Sequence, residues 1–310
     1  MIRNLAQPAL VLLAQMALTL ALAPLLPGIV NKVKALFAGR VGPPVLQLYY
    51  DLAKLMRKGS VFSRSSTRIF LGGPVVSVAV GFTAALMVPM GSATAPLHFL
   101  GDAIVFAYLF GMARFFIVLS ALDTGSAFEG MGAAREATFA VLAEPALFLG
   151  FAALARFSGS TSLGPMLTAA GRGWGTASGP LALVLAAWAI VFLVENCRIP
   201  FDDPNTHLEL TMIHEVMVLD HSGPSLGLVL YGASLKLWVL GALVVKLCLP
   251  LRGTWWIDWP AFLGGMALLS IGVGILESIM ARLKMRRVSQ ALIAAVVSGT
   301  FGFLLLLLQA

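Results

Sequence analysis

Long apolar segments separated by shorter polar ones run along the whole chain. Each segment is close to the roughly 20 residues that an α-helix needs to cross a bilayer. Because the runs lack strict alternation of polar and apolar residues, they predict helices rather than strands. The predicted spans are residues 8–30, 69–91, 99–122, 137–157, 179–197, 226–249, 260–281 and 288–309. The pattern therefore predicts an all-α, polytopic membrane protein with about eight transmembrane helices.

Composition agrees with this prediction. The chain is 59% hydrophobic and 11% charged, whereas soluble domains carry about 25% charged residues. The first apolar segment lacks a small-residue cleavage site, so we expect it to be a retained helix rather than a signal peptide. No internal repeat or second domain is visible. We expect a single transmembrane domain over residues 1–310, which disfavours a transporter built from inverted repeats.

The net charge of +7 comes from basic residues that lie mostly between the apolar segments. There they set membrane orientation, so nucleic acid is not an expected partner. Four connections hold fourteen Lys and Arg residues, against four on the opposite side. Because basic loops stay inside, these four are expected to be cytoplasmic, in a plasma (inner) membrane with both termini on the outer side. They are residues 31–68, 123–136, 198–225 and 282–287.

Residues 40–58 have the pattern of an amphipathic helix in the first of these connections. Val45, Leu48, Leu52 and Leu55 recur at helical spacing, whereas the basic side chains take another face. Such a helix lies in the membrane interface. Two interpretations stay open: simple anchoring to anionic lipid, or a surface on which a soluble partner docks.

Charged residues inside the predicted spans need a reason, because each costs several kcal/mol, roughly 3 or more, in the bilayer centre. Arg114 and Glu144 lie at equal depths, about 12 Å inside their spans at 1.5 Å per residue, so they can pair. Lys236 lies near the middle of its span. We expect all three to face the bundle interior and to line a polar path.

Carboxylates are dense at the expected cytoplasmic face, and titratable chains of this kind carry protons through membrane proteins. We expect Glu136, Glu195, Asp202 and Glu209 to surround one hydrated cavity. Local pairing, for example of Glu195 with Arg198, is the alternative. The candidates for a proton path are Glu144, Glu136, Glu195, Glu209, Asp202, Glu277, Arg114 and Lys236.

The sequence favours no metal or redox centre on this chain. It has two cysteines, Cys197 and Cys248, whereas an iron–sulfur cluster generally needs about four cysteine ligands. His207, His214 and His221 are spaced by seven, which places neighbours on one helix about 10.5 Å apart and excludes a shared metal. Any redox cofactor is therefore expected in a partner.

One motif resembles a known family. Residues 195–202 read Glu-Asn-Cys-Arg-Ile-Pro-Phe-Asp, which is similar to the E-x-x-R-x-P-F-D signature of the ND-one membrane protein of respiratory complex I, which abuts the quinone chamber. Residues 40–55 resemble the first loop of that protein. Residues 122–126, 132–137, 144–145 and 277–282 look more like the membrane anchor subunits of formate hydrogenlyase and hydrogenase-4. The resemblance covers residues 40 to 282 in order.

The resemblance implies a membrane anchor and coupling subunit of an energy-converting [NiFe]-hydrogenase-type complex. The implied partners are hydrogenase-like large and small subunits and an iron–sulfur protein, which would hold the iron–sulfur clusters and the NiFe centre, and antiporter-like membrane subunits that move protons or sodium. The docking and junction residues that the resemblance implies are Arg40, Gln47, Asp51, Lys54 and Arg198. Asp203, Glu215 and Asp220 join them as acidic residues of the loop 198–223 that we expect to contact the soluble arm.

The chain departs from complex I directly after its motif. Asn205 and His207 stand where the complex I pattern has carboxylates, and the segment 211–221 is longer than its counterpart in the complex I protein. This disfavours the alternative of a quinone-site subunit in an NADH dehydrogenase. A stand-alone ion transporter is a further alternative. The loop 198–223 is expected to be the main dock for the soluble arm, unless its apolar residues 205–219 fold back into the bundle.

Overall fold

The computed structural model describes residues 2–91, 95–202, 212–250 and 254–309. In these ranges the chain is helical and contains no β-strand, as the sequence predicts. The helices are α1 Ile2–Leu22, α2 Leu25–Phe37, α3 Gln47–Met56, α4 Arg68–Met87, α5 Asp102–Asp123, α6 Ala127–Ser158, α7 Leu163–Arg172, α8 Ser178–Glu195, α9 His214–Met217, α10 Pro224–Cys248, α11 Trp255–Ile279 and α12 Met285–Leu308, with a short 3₁₀ turn at Gly173–Gly175.

Eight helical segments are long and apolar enough to span a membrane, so the predicted number is confirmed. α10 is the central helix: 72% of its most apolar window is buried inside the chain, against 28–44% for the other spans. Trp238 and Phe262 pack edge to face between α10 and α11. The outer spans keep broad apolar faces exposed, as helices that contact lipid or other membrane subunits require.

The first span is broken near its middle. Because Pro24 has no backbone N–H, the carbonyl of Leu20 loses the donor that a continuous helix would supply. The hydroxyl of Tyr231 on α10 donates to that carbonyl at 3.1 Å. The hydroxyl of Tyr49 on α3 donates to the next carbonyl, that of Ala21. Two tyrosines from other elements thus supply donors to two carbonyls at the break.

The amphipathic segment forms a separate helix, α3, which confirms the prediction for residues 40–58. It packs where α2 and α10 carry glycine. A Cβ atom at Gly28 would lie 1.9 Å from the carbonyl oxygen of Val45, and one at Gly227 would lie 3.0 Å from Cε of Met56. α3 is therefore seated directly on the backbone of its neighbours.

Three connections are shorter than predicted. The helical segment that begins the 31–68 connection runs on to Phe37, because Val30, Val33 and Leu36 continue the apolar pattern. The expected loop 123–136 shrinks to three residues, because α6 begins at Ala127 and is 32 residues long. Its Gly-rich start misled the prediction. The supposed plain connector 158–178 contains α7, which buries Leu163, Met166 and Leu167.

We call the end of the bundle that carries residues 38–67, 124–126, 196–202, 212–223 and 280–284 the basic end. Asp123, the last residue of α5, fixes the start of α4 there: its carboxylate accepts from the N–H of Thr67 at 2.6 Å and from the hydroxyl of Thr67 at 2.9 Å. Burial lowers the pKa of His221 to about 4. Its ring stacks on Phe70 and bonds Ser225 at 2.5 Å, so it joins α4 to α10.

Candidate functional site

Arg114 on α5 is the centre of a network of charged groups between the spans. Its Nε lies 3.3 Å from Oε1 of Glu136. Its two terminal nitrogens contact Glu144 and Glu195. Two of these carboxylates come from α6 and one from the last residue of α8. The predicted pairing of Arg114 with Glu144 is confirmed, and two further carboxylates join it.

Lys236 on α10 completes this network, which we call the Arg114 cluster. Its Nζ lies 2.7 Å from Oε2 of Glu195, whose other oxygen contacts Arg114. Glu195 therefore bridges both cations. The alternative of a local pair between Glu195 and Arg198 is wrong, because Arg198 instead contacts Glu277.

The Arg114 cluster is buried and unequal in charge. The side chains of Arg114 and Glu195 are each 9% exposed. Among the described residues, two cations face three carboxylates, so one carboxylate is in excess when all five groups are ionised. An uncompensated charge is costly away from water. A proton on the third carboxylate removes the imbalance and leaves both ion pairs of Glu195 intact.

Glu144 differs from the other members. Its side chain is 46% exposed at the surface of the chain, so the prediction that it faces the interior holds only for the oxygen on Arg114. The reason is its position at the seam of α5 and α6, where Gly111 leaves room beside the carboxylate. A cavity of about 20 Å³, lined by Arg114, Glu144 and Glu195 among others, adjoins it. That volume is enough for about one water molecule.

Glu277 lies in a second site at the basic end. Its side chain is fully buried, with Lys34 at 2.8 Å and Arg198 at 3.5 Å. Here two cations face one carboxylate, the opposite imbalance to that of the Arg114 cluster. Sequence reasoning missed Lys34, because it was placed in a loop. The continued apolar periodicity through residues 30–37 is the signal that could have shown it on a helix.

Asp202 occupies a third position. It is 2% exposed, and Arg282 lies 2.8 Å from one of its oxygens. The other oxygen accepts from the backbone N–H groups of Ile213 and His214. Asp202 therefore lies outside the ion pairs of the Arg114 cluster, and the cavity adjoins Glu144 rather than Asp202. Neither Asp202 nor Glu136 lines that cavity, so one cavity shared by all four inner carboxylates stays a prediction. Glu209 lies outside the described residues.

The described part of the expected docking loop is mostly internal. Met212, Ile213, Val216 and Met217 are all buried against the chain's own helices. The interpretation that these apolar residues bind a partner is wrong, because the start of α6 covers them. Burial, with the charge of Lys236, lowers the pKa of His214 to about 4.

Several expected docking residues do lie at the surface of the basic end. Arg40, Lys54 and Asp220 are exposed, and Gln47 donates to Asp51 at 2.9 Å on the half-buried face of α3. Glu215 is half-buried, and Asp203 lies outside the described residues. Cys197 is buried beside the inner carboxylates, and burial together with the charges of Glu136 and Asp202 raises its thiol pKa.

The other candidate sites have fewer titratable groups than the Arg114 cluster. Among residues 2–91, 95–202, 212–250 and 254–309 there is no group of three or more His, Cys, Asp or Glu residues that could hold a metal ion. A cavity of about 480 Å³ lies at the opposite end, beside α7. Its described lining residues are Ala95, His98, Phe99, Leu100, Ser162, Gly164, Pro165 and Thr168, and His98 is the titratable one among them.

Eight membrane-capable helices around a buried network of arginine, lysine and glutamate define a polytopic membrane protein with charged groups inside its bundle. The chain belongs to the NADH dehydrogenase family, whose sequence pattern it matches over residues 9–308. It is 37% identical to formate hydrogenlyase subunit 4 of Escherichia coli (strain K12) over 265 residues, which cover 86% of this chain and 84% of that protein.

Two further relatives and one solved structure are also similar to this chain. Hydrogenase-4 component C of the same organism is 37% identical over 240 residues, 77% of this chain and 74% of its own. An NADH-quinone oxidoreductase subunit of Verminephrobacter eiseniae (strain EF01-2) is 24% identical over 221 residues, 68% and 61% of the two chains. A chain of the membrane-bound sulfane sulfur reductase, an archaeal respiratory membrane complex, has the same fold: the TM-score is 0.84 at 20% identity, covering 97% of this chain and 99% of that one.

Proposed function

We propose that this chain is the membrane anchor and coupling subunit of an energy-converting hydrogenase-type complex. It joins a soluble iron–sulfur redox arm at the basic end to antiporter-like subunits that move protons or sodium. Two relatives with 37% identity are named as a subunit of formate hydrogenlyase and a component of hydrogenase-4, which supports an assembly of this kind. The single observation that carries the coupling role is the Arg114 cluster.

The cluster fits a group that takes up and releases a proton. Glu195 is fixed between Arg114 and Lys236, so it stays ionised. Glu136 has the longer contact with Arg114, 3.3 Å, and Glu144 is the most exposed member. These two carboxylates therefore compete for the single excess proton. A change of charge at the basic end alters this competition, since fields act over longer distances in a low-dielectric interior.

The path between the cluster and the opposite end is apolar. α10 continues beyond Lys236 with buried side chains from Leu237 to Val245, none of them charged. A proton on the cluster therefore finds no titratable group on α10 before Lys246, which lies ten residues and about 15 Å further on. Glu144, which is open at the side of the bundle, is the group that delivers it to an adjacent membrane subunit.

The proposal assigns the electron chemistry to partner subunits. Iron–sulfur clusters and a NiFe centre belong to the hydrogenase-like large and small subunits and the iron–sulfur protein that dock at the basic end. The role of this chain is non-catalytic, within one transmembrane domain over residues 1–310. The positive-inside bias of the loops supports the proposal of a cytoplasmic basic end in a plasma (inner) membrane, with both termini on the outer side.

A second candidate function is the quinone-site subunit of a complex I-like NADH dehydrogenase. The family and the 24% identity with an NADH-quinone oxidoreductase subunit favour it. Inhibition of the purified complex by quinone-site inhibitors, with quinone reduction, would select this candidate. Purification of the chain without any soluble iron–sulfur subunit would instead select a stand-alone transporter.

The coupling role is tested in the purified complex, reconstituted in vesicles, by recording redox turnover and ion movement together. Glu144→Gln and Glu195→Gln are expected to assemble and to retain turnover with an artificial electron carrier, while ion movement falls at least tenfold. Arg156→Gln, a charge change at the exposed opposite end of α6, is the matched control and leaves ion movement unchanged. Normal ion movement in both assembled glutamine variants would refute the coupling role.

A further inference from the structure

The carboxylate of Asp202 accepts hydrogen bonds on both of its oxygens. Oδ1 accepts from Nη2 of Arg282 at 2.8 Å. Oδ2 accepts from the backbone N–H of Ile213 at 3.3 Å and of His214 at 3.0 Å. With 2% exposure, the carboxylate is enclosed by three donors and makes charge-assisted hydrogen bonds to each of them.

These contacts hold three separate segments together. Asp202 is the last residue of the 195–202 motif, Ile213 lies in the segment 212–217 that contains α9, and Arg282 lies between α11 and α12. Beside Asp202, the backbone N–H of Leu283 donates to the carbonyl of Pro200 at 2.8 Å. This bond joins the motif to the segment between α11 and α12. Arg135 on α6 adds a bond of 2.9 Å to the carbonyl of Met212.

The segment held by Asp202 lies directly on α6. A Cβ atom at Gly132 would lie 2.8 Å from the carbonyl oxygen of Ile213, 2.9 Å from Cγ of Met217 and 3.0 Å from Cγ1 of Val216. Gly132 and Glu136 are four residues apart, so they share one face of the helix. The segment 212–217 therefore packs one turn away from the carboxylate that contacts Arg114.

Asp202 is also close enough to repel the Glu136 carboxylate electrostatically. Arg282 offsets that repulsion, because it pairs with Asp202. The contact through Gly132 and the charge interaction thus both link Asp202 to Glu136, one of the two carboxylates that compete for the excess proton.

We infer that Asp202 is a positioning residue that fixes the 212–217 segment on α6 and thereby sets the proton affinity of Glu136 in the Arg114 cluster. This inference rests on the proposed function. A partner that displaces the segment changes proton binding at the cluster without touching it.

The test uses the purified complex in vesicles, with two measurements on each variant. The first is deuterium exchange of the backbone amides in the peptide that contains residues 212–217. The second is the pH profile of ion movement. Asp202→Asn is expected to speed exchange about tenfold, the effect of weakening charge-assisted hydrogen bonds, and to move the pH midpoint of ion movement. Asp202→Glu, which keeps the charge, restores part of both.

Arg282→Gln provides a second variant if Asp202→Asn fails to assemble, since it leaves the bonds from Asp202 to the backbone in place. It is expected to move the pH midpoint with little change in exchange. Arg286→Gln, at an exposed position on α12, is the matched control and changes neither. Unchanged exchange in Asp202→Asn, or faster exchange with an unmoved pH midpoint, overturns the inference. The exchange measurement is independent of ion movement, so failure of the coupling role in Glu144→Gln is recognised separately.

Discussion

Lys236 and Glu195 form an ion pair of 2.7 Å between the central helix α10 and the last residue of α8. Glu195 also contacts Arg114, so the pair holds three spans at one depth. Removing one partner of a buried pair generally costs about 3–5 kcal/mol, because the other charge is left uncompensated. In this cluster, loss of a cation would also increase the excess of carboxylates.

We predict that Lys236→Met and Lys236→Arg differ in ion movement because only the arginine variant keeps the positive charge. In Lys236→Met, one cation faces three carboxylates, so two protons are needed for neutrality and ion movement should shift to higher pH. Lys236→Arg keeps the charge and should retain most ion movement. Measurement of ion movement against pH in vesicles checks this. A Met variant with the pH profile of the unchanged protein would contradict the charge count.

The packing of α3 on α2 can be tested with alanine. In Gly28→Ala, the new methyl group meets the carbonyl oxygen of Val45 at 1.9 Å, so α3 must move away. We expect destabilisation of about 1–3 kcal/mol, typical of overpacking. Gly264→Ala on α11 is the matched control: it meets nothing within 4 Å, and alanine favours a helix. Thermal unfolding in detergent should show a lower Tm for Gly28→Ala alone.

His221 makes stability depend on pH. Its pKa is about 4 in the folded protein and 6.5 ordinarily. The unfolded chain therefore binds a proton at a higher pH than the folded one. The contribution of His221 is present above pH 6.5 and is lost as the pH falls towards 4, by on the order of 3 kcal/mol in total. His214 acts in the same direction. The free energy of unfolding, measured at several pH values, should depend less steeply on pH in His221→Gln than in the unchanged protein. An equal slope would contradict this prediction.

The basic end can be tested as the dock for the soluble arm with exposed charges. Lys54→Glu and Asp220→Lys are expected to release the soluble subunits during purification, because each reverses a charge at the surface of that end. The membrane subunits should remain assembled. Arg156→Glu at the opposite end is the control and should keep the arm bound. If the soluble arm stays bound in a variant that combines Lys54→Glu and Asp220→Lys, the docking surface lies elsewhere.

Much of the fold could be predicted from the sequence, because apolar length reports directly on spans. The eight spans and the amphipathic helix are confirmed. Boundaries failed where polar or small residues continue a helix, as at Gly130 and Gly132 on α6. These glycines looked like a loop, but Gly132 is small because the 212–217 segment lies on it.

The site was predictable only in part, for a related reason. Depth within a span identified Arg114 and Glu144 as partners, since both were measured along the sequence. Which further carboxylates join them depends on how the helices pack against one another. The spacing of residues along a single helix does not determine that packing. Asp202 was therefore grouped with the cluster, although its partners are Arg282 and the backbone of the next segment.

The break at Pro24 has a consequence for how the protein is made. The two carbonyls left without helix donors lie inside the first span, and backbone groups in lipid must be satisfied within the protein. Their donors are the hydroxyls of Tyr49, 28 residues after Ala21, and of Tyr231, 211 residues after Leu20. The first span therefore reaches the membrane before Tyr231 has been synthesised. Although it is the first helix to be made, it is among the last to be completed, once α10 has taken its place beside it.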